Sequence, residues 1–269
     1  MSNPWVLAAK NLLFPSFCQA CGERLLTEEN GYFCPDCWDR SPRIERPFCP
    51  QCGRPHPRGV GLQTGGSNFF CEPCRNAKNP PPCEHIAGAA YYTGAVEAAV
   101  KLMKFNDKPR LARPLAEVMA GFALKELDCD DYDCLTPVPL HHVRERDRGF
   151  NQSRLLADHL AGYFPNAAVA PLLKRVRPTL VQSRLRDQKE RLANVRGAFD
   201  MRPGVDAAGK TVLLIDDVVT TGGTVSECAR VLKMAGAARV DVLAAALAVP
   251  LLTPEPAAAR GGSAFAWPF

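Results

Sequence analysis

Two adjacent carboxylates at the end of an apolar run, followed by threonines and glycines, carry the clearest chemistry in this 269-residue chain. The segment Thr211–Thr224 reads Thr-Val-Leu-Leu-Ile-Asp-Asp-Val-Val-Thr-Thr-Gly-Gly-Thr. Thr211–Ile215 fits a strand covered on both faces. The pattern predicts that this strand runs into Asp216 and Asp217, that a short turn follows, and that a helix begins near Thr224 with Val225, Cys228, Ala229 and Leu232 inward. The free N–H groups and dipole at a helix N-terminus suit a phosphate ester. Gly222 and Gly223 let the backbone approach it. The hydroxyls of Thr220, Thr221 and Thr224 add donors. Two carboxylates at the carboxyl end of a strand can accept hydrogen bonds from a sugar diol, and open α/β sheets bind ligands at that end. Together these parts describe a cradle for a ribose 5-phosphate.

A second group lies upstream. Pro137-Val138-Pro139-Leu140 leads into His141-His-Val-Arg-Glu-Arg-Asp-Arg-Gly-Phe-Asn151. Arg144, Arg146 and Arg148 are two apart and are expected just before a helix, with Gly149 allowing a tight turn and Asn151 capping. Guanidinium groups match diphosphate oxygens bidentately. His141 and His142 stand beside this group. The segment 141–202 holds 13 Arg or Lys against 6 Asp or Glu, a larger positive balance than the +5 of the whole chain. Such a patch attracts phosphates, on a small molecule or on nucleic acid.

Eight of the 12 cysteines form four Cys-x-x-Cys pairs. These are Cys18 with Cys21, Cys34 with Cys37, Cys49 with Cys52, and Cys71 with Cys74. That spacing is a metal clamp. Two pairs make one tetrahedral Zn²⁺ site, and four thiolates close the coordination sphere, so two structural zincs are expected. The pairs fit either a sequential or an interleaved arrangement. The residues between Arg54 and Phe70 read as a flexible insertion.

The elements that position these groups follow from periodicity. Residues 1–83 are rich in Cys, Pro and Gly, with little apolar pattern, and need metal to hold together. Strands are expected at His85–Tyr92, Asp133–Val138, Thr211–Ile215 and Val240–Leu247, and helices at Ala95–Phe105, Leu111–Leu127 and Gln152–Tyr163. The alternation predicts an α/β domain over 84–250, with a mostly parallel sheet and flanking helices. Residues 251–269 read as a disordered tail. Composition is ordinary for a globular protein, with 46% hydrophobic and 23% charged residues. The longest apolar run, Val242–Leu252, is broken by Pro250 and too short to cross a bilayer. The stretch Trp5–Phe17, interrupted by Lys10, reads as a docking segment and not a signal peptide. A cytoplasmic location and a reducing compartment are therefore expected.

Thr211–Thr224 strongly resembles the signature of type I phosphoribosyltransferases, which bind 5-phosphoribosyl diphosphate (PRPP). Pro-Val-Pro, the three arginines and Gly-Phe-Asn-Gln resemble the ComF family. So do Leu102-Met-Lys-Phe-Asn-Asp-Lys108, Leu173-Lys-Arg-Val-Arg-Pro-Thr, Gln182, Arg191, Asn194 and Gly197-Ala-Phe, and the cysteine pairs look like that family's double zinc ribbon. The resemblance implies a type I phosphoribosyltransferase fold behind a zinc ribbon. It implies that Asp216 and Asp217 hold the ribose hydroxyls and that Val219, Thr220, Thr221, Gly222, Gly223 and Thr224 hold the 5′-phosphate. Arg144, Arg146 and Arg148 would face the diphosphate together with Mg²⁺. A basic hood, Lys174–Arg196, would close over the site and bring Lys189 and Arg191 to the diphosphate. The implied activity is phosphoribosyl transfer to an unidentified acceptor. The alternative is a non-catalytic PRPP sensor, or an accessory factor that handles single-stranded DNA with the DNA-uptake machinery.

Overall fold

The computed structural model describes residues 15–25, 31–56, 69–78, 80–178 and 194–250. Two short helices, α1 (Pro35–Asp39) and α2 (Glu72–Arg75), belong to the cysteine-rich front. Next come β1 (His85–Tyr91), α3 (Gly94–Phe105), α4 (Ala112–Glu126), β2 (Cys134–Pro137), α5 (His142–Arg148), α6 (Gln152–Leu160) and β3 (Ala168–Val169). The hairpin strands β4 (Leu173–Arg175) and β5 (Phe199–Met201) precede β6 (Thr211–Val219), α7 (Gly223–Met234) and β7 (Arg239–Leu247).

Five strands form one sheet in the order β1-β7-β6-β2-β3, and every pairing in it is parallel. Val212–Ile215 and Val242–Leu247 are buried throughout, because helices cover both faces. From β2 the chain crosses through α5 and α6 outward to β3. From β6 it crosses through α7 the other way to β7. Right-handed crossovers running in opposite directions place α6 and α7 on opposite faces. A crevice is left between β2 and β6 at their carboxyl ends, which is where α/β sheets bind ligands.

The cysteine-rich front is stitched to this sheet. The Ile44 N–H donates to Ala89 O (3.1 Å), Tyr91 N–H to Pro42 O (3.0 Å) and Ile86 N–H to Gln51 O (3.0 Å). These bonds cover the outer edge of β1, which would otherwise offer a row of unpaired backbone groups. Phe48 packs on Phe122 with ring centroids 5.8 Å apart. Gly53 has φ +69°, and a Cβ there would sit 2.5 Å from Ile86 O, so only glycine permits this approach. Residues of the front and of the sheet share one apolar core.

The structure corrects several expectations. The strand expected to end at Ile215 continues through both acids to Val219, because Val218 and Val219 remain in register with Ala246 and Leu247 of β7. The three arginines do precede the helix that Asn151 caps, but they also lie on a short helix of their own, since the His141 side chain caps α5 by accepting from Val143 N–H. The helix expected over Gln152–Tyr163 is α-helical to Leu160 and finishes as a single 3₁₀ turn, Ala161–Tyr163. The hood beyond residue 178, up to 193, and the tail after residue 250 lie outside the described residues.

Candidate functional site

Asp216 and Asp217 follow each other on β6, so their side chains leave in different directions and find different partners. Asp216 Oδ1 accepts from Ser153 Oγ of α6 (3.0 Å) and from the Asp217 N–H (2.9 Å). Asp217 is buried, and its Oδ1 lies 2.8 Å from Lys104 Nζ of α3. Burial, then the neighbouring Asp217 charge, pushes the Asp216 carboxyl up to about 7, against the pull of Lys104, the Asp217 N–H and Ser153. Burial works against charging Lys104, but Asp217 outweighs it and holds the ammonium above its ordinary value. The pair of acids therefore sits beside one firmly charged cation.

Immediately after Val219 the chain turns into α7. The N-cap is Gly222 at φ +77°, in the left-handed region that glycine tolerates, and no side chain caps the helix. Helix bonding starts with Ser226 N–H to Gly222 O (2.9 Å). The buried Thr221 Oγ1 has no hydrogen-bond partner among the described residues. A helix N-terminus without a side-chain cap, with an orphaned hydroxyl beside it, suits a bound oxyanion. Val219, Thr220, Gly222, Gly223 and Thr224 line one small recess at this point. The Val219 carbonyl is taken by Ala248 N–H (2.9 Å), so this residue anchors the loop to the sheet.

The arginines face the same opening. Arg144 and Arg148 are one helical turn apart on α5 and both line the cleft, whereas Arg146 is exposed on another face and does not. Arg148 Nη1 donates to Gln152 Oε1 (2.7 Å), and its guanidinium lies 5.9 Å from the Phe105 ring centroid. Asn151 joins the two walls: its Oδ1 caps α6 at Ser153 N–H (3.0 Å) and its Nδ2 donates to Val138 O (3.0 Å). The cleft measures about 810 Å³. Pockets for ligands of nucleotide size fall in that range.

The cysteines gather as two tetrads, Cys18/Cys21/Cys34/Cys37 and Cys49/Cys52/Cys71/Cys74, each with all ligand atoms within 4.8 Å of one another. The pairing is therefore sequential and not interleaved. Four thiolates about 2.3 Å from a tetrahedral Zn²⁺ stand about 3.8 Å apart. The Cys21–Cys34 and Cys52–Cys71 sulfurs are 3.8 and 3.7 Å apart, so both tetrads fit structural zinc.

Comparison with known proteins agrees with both halves. Residues 9–75 match the double zinc ribbon domain, and residues 151–255 match the phosphoribosyl transferase domain. The DNA utilization protein YhgH of Salmonella typhi is 32% identical over 234 residues, covering 86% of this chain and 96% of that protein. Competence protein F of Haemophilus influenzae is 27% identical over 230 residues, covering 84% and 94%. Competence protein ComFC of Bacillus subtilis is 27% identical over 209 residues, covering 76% and 79%. The chain belongs to the ComF family.

In this ComF-family protein the structure brings Asp216, Asp217, Thr220, Thr224, Arg144 and Arg148 to one cleft and leaves Arg146 outside it. Lys189 and Arg191 fall outside the described residues. Three further cations line the cleft, Lys101, Lys104 and Arg175, and none has an individual role assigned from the sequence. Lys104 lies one turn beyond Val100, on the edge of the apolar stripe of α3, and a cation on such a stripe is a usable signal. Arg175 reaches the cleft from β4, an isolated hairpin strand with no periodicity to mark it.

Proposed function

We propose that this protein binds PRPP in the cleft between β2 and β6, and that it is a phosphoribosyltransferase-type enzyme acting on a nitrogen nucleophile. The observation that carries this reading is the convergence on one cleft of two acids, a helix N-terminus without a side-chain cap, and Arg144 and Arg148. In this reading Asp216 and Asp217 accept hydrogen bonds from the ribose hydroxyls. The N–H groups and threonine hydroxyls of residues 220–224 hold the 5′-phosphate. Arg144 and Arg148 stabilise the departing diphosphate. Mg²⁺ would neutralise the diphosphate and order the ribose oxygens. The chain's own residues position C1 and balance the positive charge that develops on the ribose ring, with Lys104 paired to Asp217 beside it. The two tetrads hold structural zinc, and thiolates in that use point to a reducing, cytoplasmic setting.

The names of the relatives, in DNA utilization and competence, support action alongside DNA uptake. A second reading is therefore a protein that handles single-stranded DNA and uses PRPP as a signal. Phe105 favours it: this ring is 73% exposed, lines the cleft and lies under Arg148. Bases stack on such rings. Calorimetric titration of PRPP with and without Mg²⁺, on the wild type and on Asp216→Ala/Asp217→Ala, tests the binding claim. Unchanged affinity in the double variant sinks it. Diphosphate release measured across bases, amines and oligonucleotides then separates the readings. Release with one acceptor class identifies an enzyme, whereas tight PRPP binding without release favours the signal reading.

A further inference from the structure

Arg175 belongs to the ComF-like run that begins at Leu173, which gives it no individual role, yet the fold places it with care. The residue ends β4, pairs with Phe199 of β5, and forms a β-bridge with His141, which follows the loop after β2. Its guanidinium lies over the Phe199 ring, 5.2 Å from the centroid, and its side chain lines the same cleft as Arg144, Arg148 and Asp216. Cations thus face the cleft from three elements, α3, α5 and β4. Burial, and then the nearby Arg144 charge, lowers the Arg175 pKa, while Asp216 acts the other way. His141 is lowered as well, by desolvation and by the charges of His142, Arg175 and Arg144. Like charges held together in a partly dry wall repel, and an anion entering between them relieves that cost.

We propose that Arg175 is a further oxyanion ligand, which takes a phosphate-class anion beside Arg144 and apart from the phosphate loop. The inference rests on the PRPP reading and deepens it. The Phe199 platform fixes the guanidinium plane, which suits bidentate capture of phosphate oxygens. That chemistry has two sources, the diphosphate of PRPP or a backbone phosphate of bound nucleic acid.

The test uses the full chain with zinc bound and titrates inorganic pyrophosphate, ribose 5-phosphate and a short oligothymidylate against the wild type, Arg175→Gln and Arg175→Lys. Losing a charge-assisted contact weakens binding about tenfold or more. The expected result is that loss for pyrophosphate in Arg175→Gln, partial recovery in Arg175→Lys, and ribose 5-phosphate affinity within about twofold of wild type. A loss confined to the oligothymidylate also supports the oxyanion site and makes its source the nucleic-acid backbone. Unchanged affinity for both anions overturns the proposal. An equal loss for ribose 5-phosphate overturns it too, because Arg175 would then only shape the cleft. A wild type that fails to bind ribose 5-phosphate refutes the PRPP reading instead, and the oligothymidylate arm alone then decides the role of Arg175.

Discussion

Replacing Asp216 by Asn tests whether the cleft stores unfavourable charge for its ligand. The carboxyl rises from an ordinary 3.8 to about 7 in the fold. A raised acid pKa means that the folded chain keeps a proton which the unfolded chain has released at intermediate pH. Stability therefore falls as pH rises through the window from the ordinary value to about 7, and the deficit is complete above it. At about 1.4 kcal/mol for each pKa unit, the ceiling on this penalty is about 4 kcal/mol. Asp216 opens partly to the cleft and is coupled to Asp217, so about 2 kcal/mol is the working figure. Asn keeps the acceptor oxygen for Ser153 and for the Asp217 N–H, and loses only the charge. Asp216→Asn should thus gain about 2 kcal/mol at about pH 8, or roughly 4–8 °C in Tm for a domain of this size. The gain should shrink to about half near pH 5.5. Urea unfolding of both proteins at the two pH values measures it, and PRPP titration should show weaker binding by the more stable variant. A loss of stability at the higher pH, or a gain that ignores pH, refutes the reasoning.

Lys104→Met leaves the buried Asp217 without its cation and should destabilise the protein by about 2–3 kcal/mol in urea unfolding, less than a wholly buried pair because the ammonium is partly exposed. Gly222→Ala forces a side chain into the left-handed region and should cost about 1–2 kcal/mol, with a clear loss of ribose 5-phosphate affinity by calorimetry. Cys37→Ser removes one ligand of the first tetrad, so metal analysis should find one zinc per chain in place of two. Gly53→Ala meets Ile86 O at 2.5 Å, and hydrogen exchange should show faster exchange along β1 while the cysteine tetrads keep their metal.

The sheet and both cysteine sites were legible because their signals are local. Continuous apolar runs such as Val212–Ile215 mark strands covered on both faces, and Cys-x-x-Cys pairs mark clamps. The pairing of the clamps was not legible, since it depends on how loops fold back in space. The extent of β6 was misjudged for a related reason. Asp216 and Asp217 look like the end of a strand, but the ladder with β7 carries the backbone on to Val219. The helicity of Arg144–Arg148 itself is not legible, because the run has no apolar periodicity and is expected only to precede a helix. Capping by His141 instead makes it helical and turns Arg146 away from the cleft. Lys104 is marked only by its place on the edge of an apolar stripe and Arg175 by nothing local, and their approach to the acids arises from the tertiary fold.

A crystal structure of the complex with PRPP and Mg²⁺ shows whether the cleft is a PRPP site. The expected result is the 5′-phosphate within about 2.7–3.2 Å of the N–H groups at the start of α7 and of the Thr221 hydroxyl, with the ribose diol on Asp216 and Asp217. A phosphate bound elsewhere, or a diol that touches neither acid, would contradict it.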